Sequence, residues 1–231
     1  MIGRLPSAVF LGAIGIASVL ITGFGIATAA GNLPVGPDQG WLDMVAAHRH
    51  PVADAIAGFL NVAGGTVVMT IATVVVVVVL LSLRELRAAL IIGLSVVLSS
   101  ALSSLIKAVV SRPRPVDGLV DVTSQSFPSG HVTTAAAITV AVLIAYPRVW
   151  SWVLACTWIP LMALSRNYLL VHWLSDVIAG AVLGVSVALL VSGIVGVLLK
   201  DRLPDPGSGP RPDPGSGPGP EPRPGPATIF H

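Results

Sequence analysis

Seven ionisable side chains of this 231-residue sequence, Lys107, Arg112, Arg114, His131, Arg166, His172 and Asp176, lie at or near the ends of long apolar stretches. Only 10% of the residues are charged and 54% are hydrophobic, so a charge at an apolar edge is costly and marks a candidate for chemistry. His172 and Asp176 stand four positions apart and share a face on a helix. The carboxylate can then accept the imidazole N–H, fix the tautomer, leave the other nitrogen free as a nucleophile, and stabilise the ring once it is charged. His131 follows Pro128-Ser129-Gly130. The glycine lets backbone approach a ligand, the residues after it open a helix whose free N–H groups attract an anion, and the Ser129 hydroxyl is one more donor. His131 is then placed to protonate a leaving alkoxide. Lys107, Arg114 and Arg166, if gathered in a partly dehydrated pocket, repel one another unless a multiply charged anion lies among them. Phosphate meets that need: arginine forks match its oxygens in pairs, and lysine acts as a point charge.

The elements that must position these groups read as membrane spans. Mean hydropathy is +0.87, and a bilayer core needs about 20 apolar residues per helical crossing. Six stretches qualify: 8–30, 65–83, 88–110, 132–146, 149–170 and 174–199. The valine run 74–79 resembles a buried strand, but in lipid every backbone group must be satisfied within its own segment, which favours helix. The expectation is therefore an all-α bundle of six spans with a site at the outward ends of the last four. Arg4, Arg84, Arg87, Arg148, Lys200 and Arg202 fall at alternate ends of the spans and place both termini in the cytoplasm. Arg112 and Arg114 lie on the other side against that rule, which suggests a chemical reason for keeping them. Ala27-Thr28-Ala29 also resembles a signal-peptide cleavage site, an alternative that leaves the sidedness of the later loops unchanged.

The remaining segments are less informative. Residues 31–61 carry Pro34, Pro37, Asp38, Trp41, Asp43 and Asp54 and read as an interfacial loop with room for a short helix along the membrane. His48-Arg49-His50 offers two histidines without a third ligand and reads as a solvated turn. Cys156, the single cysteine, reads as packing. A net charge of +2 with scattered basic residues gives no footprint for nucleic acid. Residues 1–203 form the expected membrane domain, and the Pro/Gly-rich tail 204–231 is expected to be disordered and cytoplasmic.

Three motifs carry a resemblance. Lys107 to Pro115 reads K-x6-R-P, residues 128–131 read P-S-G-H, and Ser165 to Asp176 reads S-R-x5-H-x3-D. The set resembles the type 2 phosphatidic acid phosphatase family, which shares its site with bacterial acid phosphatases and vanadium haloperoxidases. The resemblance implies a phosphohistidine mechanism: His172 attacks phosphorus, Asp176 orients it, and His131 protonates the leaving oxygen and then activates water. Lys107, Arg114, Ser129, the Gly130 N–H and Arg166 would hold the phosphate, with no metal and no cofactor. Arg112 falls outside the matched positions and is left as a possible headgroup contact. The implied partner is a phosphorylated lipid in the bilayer: undecaprenyl diphosphate, phosphatidylglycerophosphate or phosphatidic acid. A lipid phosphotransferase and a transporter for a phosphorylated lipid are the alternatives.

Overall fold

The computed structural model describes residues 4–200, with side chains from 7 to 199. The tail 204–231 and the domain boundary before it lie outside the described residues. Within them are eight helices and no strand: α1 (Arg4–Thr28), α2 (Asp38–Ala47), α3 (Pro51–Ala63), α4 (Thr66–Ser82), α5 (Leu86–Val110), α6 (Gly130–Ala145), α7 (Val149–Tyr168) and α8 (Leu174–Lys200). All six apolar stretches are helical, the valine run included. Ser7–Thr28, Leu86–Val110 and Leu174–Leu199 are each long and apolar enough to cross a bilayer alone, and α3 with α4, bent by 53°, makes a fourth if the pair is one broken span rather than a re-entrant loop. The count of independently adequate spans is thus three to four rather than six. The reason is local: α6 has only 16 residues and starts at Gly130, with Ser129 as its N-cap and Pro128 before it, and the last turn of α7 carries Ser165, Arg166 and Asn167. The short helix expected in segment 31–61 is present twice over, as α2 and α3.

Large apolar side chains face outward along these helices, among them Phe24 at 70%, Val67 at 71% and Val109 at 75% exposure. Such a surface belongs in lipid, and the protein is membrane-integral. Cys156 is among the exposed residues; it faces away from the bundle and does not pack its interior, contrary to the expectation from sequence. Apolar side chains gain little by leaving lipid for another helix, so association depends on close backbone approach at small residues. That is how α8 meets its neighbours. A Cβ added at Gly184 would lie 2.3 Å from the Thr133 carbonyl oxygen, and one at Gly180 would lie 2.7 Å from the Ser129 carbonyl oxygen. On the other flank, a Cβ at Gly12 of α1 would lie 2.6 Å from the Ser186 carbonyl oxygen. Facing Gly184, α6 presents Ala136 and Ala137, both fully buried. Gly184→Ala therefore overpacks the α6–α8 seam at a backbone atom that cannot move aside, and a loss of about 1–3 kcal/mol is expected. Thermal unfolding in detergent measures it; an unchanged midpoint contradicts the close packing described.

The chain order puts the C-termini of α5 and α7 and the N-termini of α6 and α8 at one end of the bundle. Ser111 adopts a left-handed conformation at φ 51° and ends α5, turning the chain toward Arg112 and Arg114. Leu170, at φ 54°, does the same after α7. This conformation costs a non-glycine residue about 1–2 kcal/mol. Here it is held by the Leu170 N–H on the Asn167 carbonyl and the Val171 N–H on the Arg166 carbonyl.

Candidate active site

The connection between α7 and α8 is short, and Asn167 shapes it by donating its side-chain N–H to the His172 carbonyl at 2.9 Å. His172 is thereby fixed at the mouth of α8. Its Nδ1 lies 3.4 Å from Asp176 Oδ2, which also accepts the Trp173 N–H at 2.9 Å and the Ser126 hydroxyl. On the opposite edge of the ring, Arg114 donates from Nη1 to Nε2 at 3.0 Å. The two contacts define the tautomer: the proton sits on Nδ1 toward the carboxylate, and the Nε2 lone pair faces the guanidinium. Burial pushes the His172 pKa down to about 3, with Arg114 and Lys107 pushing the same way and Asp176 opposing them. The ring is accordingly neutral above about pH 3, the form that carries a nucleophilic lone pair. In ¹⁵N NMR of histidine-labelled protein, the His172 signal, assigned by its loss in His172→Ala, is expected not to titrate between pH 8 and pH 5. A midpoint near the ordinary histidine value contradicts that environment.

A cavity of about 310 Å³ opens in front of Nε2, and Lys107, Arg114, Gly130, His131, Arg166 and His172 all line it. The structure thus brings together six of the eight residues singled out from sequence. Arg114 is held by the Val171 carbonyl at 2.6 Å and the Ser124 carbonyl at 2.7 Å, and burial lowers its pKa from the ordinary guanidinium value. Lys107 donates to the Gln125 carbonyl at 2.5 Å and the Ser126 carbonyl at 3.2 Å. A Cβ at Gly130 would come no closer than 3.9 Å to Lys107 Cε and Ser103 Oγ, so no protein atom demands glycine there. The space that a side chain would take is the cavity itself. Asp176 stands behind His172, fully buried. Ser129 is also fully buried, at the N-cap of α6, and its hydroxyl is without a partner among the described residues. It does not line the cavity as drawn by the resting side chains. The Thr133 hydroxyl bonds the Ser129 carbonyl at 2.8 Å, the helix-backbone use expected of a threonine in that first turn.

Sequence reasoning missed Asn61. Its carbonyl accepts from His131 Nε2 at 3.2 Å and its side-chain oxygen accepts from Arg166 Nη1, so one residue of α3 holds two cavity residues. Arg112 requires a correction. It is fully buried, not a headgroup contact, and its guanidinium bridges Asp176 Oδ1 and Asp38 Oδ2, each at 2.7 Å. His48 and His50 are exposed in the turn between α2 and α3, where the His50 Nδ1 accepts the Val52 N–H as an N-cap, in line with a solvated turn.

Residues 88–199 match the PAP2 superfamily. That stretch spans all three motifs and helices α6 and α7 with nearly all of α5 and α8, while α4, which also lines the cavity through Thr66, Met69 and Thr70, lies outside it. Over this region the chain is similar to the PAP2 superfamily. Over 120 residues it is 38% identical to the decaprenylphosphoryl-5-phosphoribose phosphatase of Mycobacterium tuberculosis, covering 49% of this chain and 64% of that protein. Over 73 residues it is 38% identical to the undecaprenyl-diphosphatase of Sulfolobus acidocaldarius, 32% of each chain. The chain thus spans less than two thirds of the length of either of these relatives. In fold it is similar to the transmembrane PAP2-type phosphatidylglycerolphosphate phosphatase of Bacillus subtilis, with a TM-score of 0.70 at 24% identity, covering 82% of this chain and 98% of that one.

Proposed function

We propose that the protein is a membrane phosphatase that removes phosphate from a phosphorylated lipid through a phosphohistidine at His172. The observation that supports it most is the placement of the His172 Nε2 lone pair at a cavity shared by Lys107, Arg114, Arg166 and His131, with Asp176 behind the ring. In the resting state Arg114 caps Nε2; an arriving phosphate oxygen takes over that guanidinium and leaves the lone pair free. Nε2 then forms the P–N bond as the P–O ester bond breaks, and His131 gives its proton to the departing oxygen. In the second step His131 takes a proton from water, the water oxygen bonds to phosphorus, and the P–N bond breaks with its electron pair returning to Nε2. Lys107, Arg114, Arg166, Ser129 and the Gly130 N–H hold the phosphate oxygens in both steps. The chemistry draws on these side chains and backbone groups and calls for no metal or cofactor.

A lipid substrate is supported by a second, mainly hydrocarbon cleft of about 460 Å³, lined by Val76, Leu80, Ile92, Ile138, Val142 and Trp158 among others, with Met69 on the walls of both it and the phosphate cavity. A chain anchored at the cavity has an apolar path beside it. Within the lipid classes we favour a polyprenyl-linked phosphate, because both named relatives compared by sequence act on polyprenyl substrates. In this reading all six long helices contribute to the membrane bundle, the short α6 and polar-ended α7 shielded by their neighbours. Arg84, Arg87 and Arg148 lie at the end away from the cavity, which supports a cavity that faces outward and termini in the cytoplasm. Phosphate release by detergent-purified protein with excess chelator tests the reading, using polyprenyl phosphates, phosphatidic acid and phosphatidylglycerophosphate. Release that vanishes in His172→Ala supports it. Release that needs added metal contradicts it, and transfer of phosphate to an acceptor other than water makes the protein a phosphotransferase.

Asp176→Asn retains a hydrogen-bonding group but removes the charge that stabilises the phosphorylated ring. Turnover is expected to fall by about 10⁴-fold while staying measurable; a rate equal to wild type contradicts the role given to Asp176.

A further inference from the structure

Asp38 opens α2, more than seventy residues before Arg112, and it is 1% exposed. A buried carboxylate without pairing is prohibitively costly. Asp38 is paired in full: Oδ2 accepts from Arg112 Nη2 at 2.7 Å and from the Ser175 hydroxyl at 2.8 Å, and Oδ1 accepts the Ser175 N–H at 2.8 Å. Its Oδ2 also receives the Val35 N–H at 3.0 Å, which shapes the turn into α2. Arg112 donates from its other terminal nitrogen to Asp176 Oδ1 at 2.7 Å and to the Ser175 hydroxyl at 2.8 Å. Its guanidinium lies 5.5 Å from the Trp173 ring centre, which closes the far side.

Charge decides what this arrangement does. Arg112 alone would cancel Asp176, and an uncharged pair offers little to a ring that becomes cationic on accepting a phosphoryl group. With Asp38 present, two carboxylates and one guanidinium leave one net negative charge on the Nδ1 side of His172, opposite the Arg114 guanidinium that the phosphate engages. We propose that Asp38 is a positioning residue of the reaction: through Arg112 it keeps Asp176 effectively anionic and oriented toward His172. The peripheral helix α2 is thereby part of the site, although it lies outside residues 88–199 that match the superfamily. This inference rests on His172 being the phosphoryl acceptor.

The test compares wild type, Asp38→Asn, the double variant Asp38→Asn with Arg112→Gln, and His172→Ala, each purified in detergent and assayed for kcat and KM on a soluble aryl phosphate. Asp38→Asn keeps the shape and removes the charge, so kcat is expected to fall roughly tenfold or more, one pKa unit of lost stabilisation being tenfold, with KM unchanged. The double variant restores the net negative charge and is expected to regain most of that loss. A purely structural role gives the opposite, because the double variant removes more hydrogen bonds and should be the slower. Wild-type kcat in Asp38→Asn, or a double variant no faster than the single, overturns the inference. If Asp38→Asn does not fold, the double variant decides: kcat within about tenfold of wild type supports the charge role, and a lower value overturns it. Equal activity of wild type and His172→Ala removes the reading beneath it instead, so the two failures are told apart.

Discussion

His172→Ala is expected to release no measurable phosphate from any substrate, a loss of at least about 10⁴-fold, the scale seen when the nucleophile of a catalytic unit is removed. The expectation follows from the arrangement rather than from the histidine alone. Asp176, Arg114 and Asn167 converge on this one ring and its backbone, and among the cavity residues His131 is the other imidazole, held to Asn61 from a different helix. Among the described residues, no imidazole or thiol besides these two lines the cavity. The fold should tolerate the change, since α7 and α8 are held by the Leu170 and Val171 backbone bonds and by the Gly180–Gly184 seam. A folded His172→Ala protein that retains a tenth of wild-type activity is incompatible with a phosphohistidine.

Loss of His131 should depend on the leaving group. A lipid alkoxide is a poor leaving group and needs the proton, so His131→Ala is expected to lose about 10²–10⁴-fold on phosphatidic acid. A nitrophenolate leaves unaided, and the first step on an aryl phosphate should survive in the same variant. The second step should not, because no base then activates water. One equivalent of nitrophenol is expected in a burst, followed by a stall. Equal losses on both substrates would place His131 among the phosphate ligands only.

The six cavity residues were legible because each motif is local: four or seven residues fix which faces of one helix end carry the chemistry, and alternation of helix ends fixes which ends meet. The all-helical fold was legible from apolar runs for the same reason. What escaped the sequence was pairing over long separations. Asp38 and Arg112 are 74 residues apart and Asn61 and Arg166 are 105 apart; nothing periodic joins them. Two signals did point that way. By its place in the sequence, Arg112 falls opposite the side that collects Arg84, Arg87 and Arg148, against the positive-inside rule, and Asp38 is one of few carboxylates in a charge-poor chain, so a buried ion pair could have been sought for both. The count of spans was less legible, because α6 starts only at Gly130 and the last turn of α7 carries Ser165, Arg166 and Asn167, which leaves those helices short or polar at one end.

Covalent capture on His131→Ala tests the mechanism most directly. The variant is mixed with excess p-nitrophenyl phosphate, quenched in alkali because the P–N bond is labile in acid, digested, and mapped by mass spectrometry. A phosphoryl group on His172, in step with the nitrophenol burst, is the expected result. A burst with the phosphoryl group on another residue, or steady turnover with His172 unmodified, would contradict the mechanism.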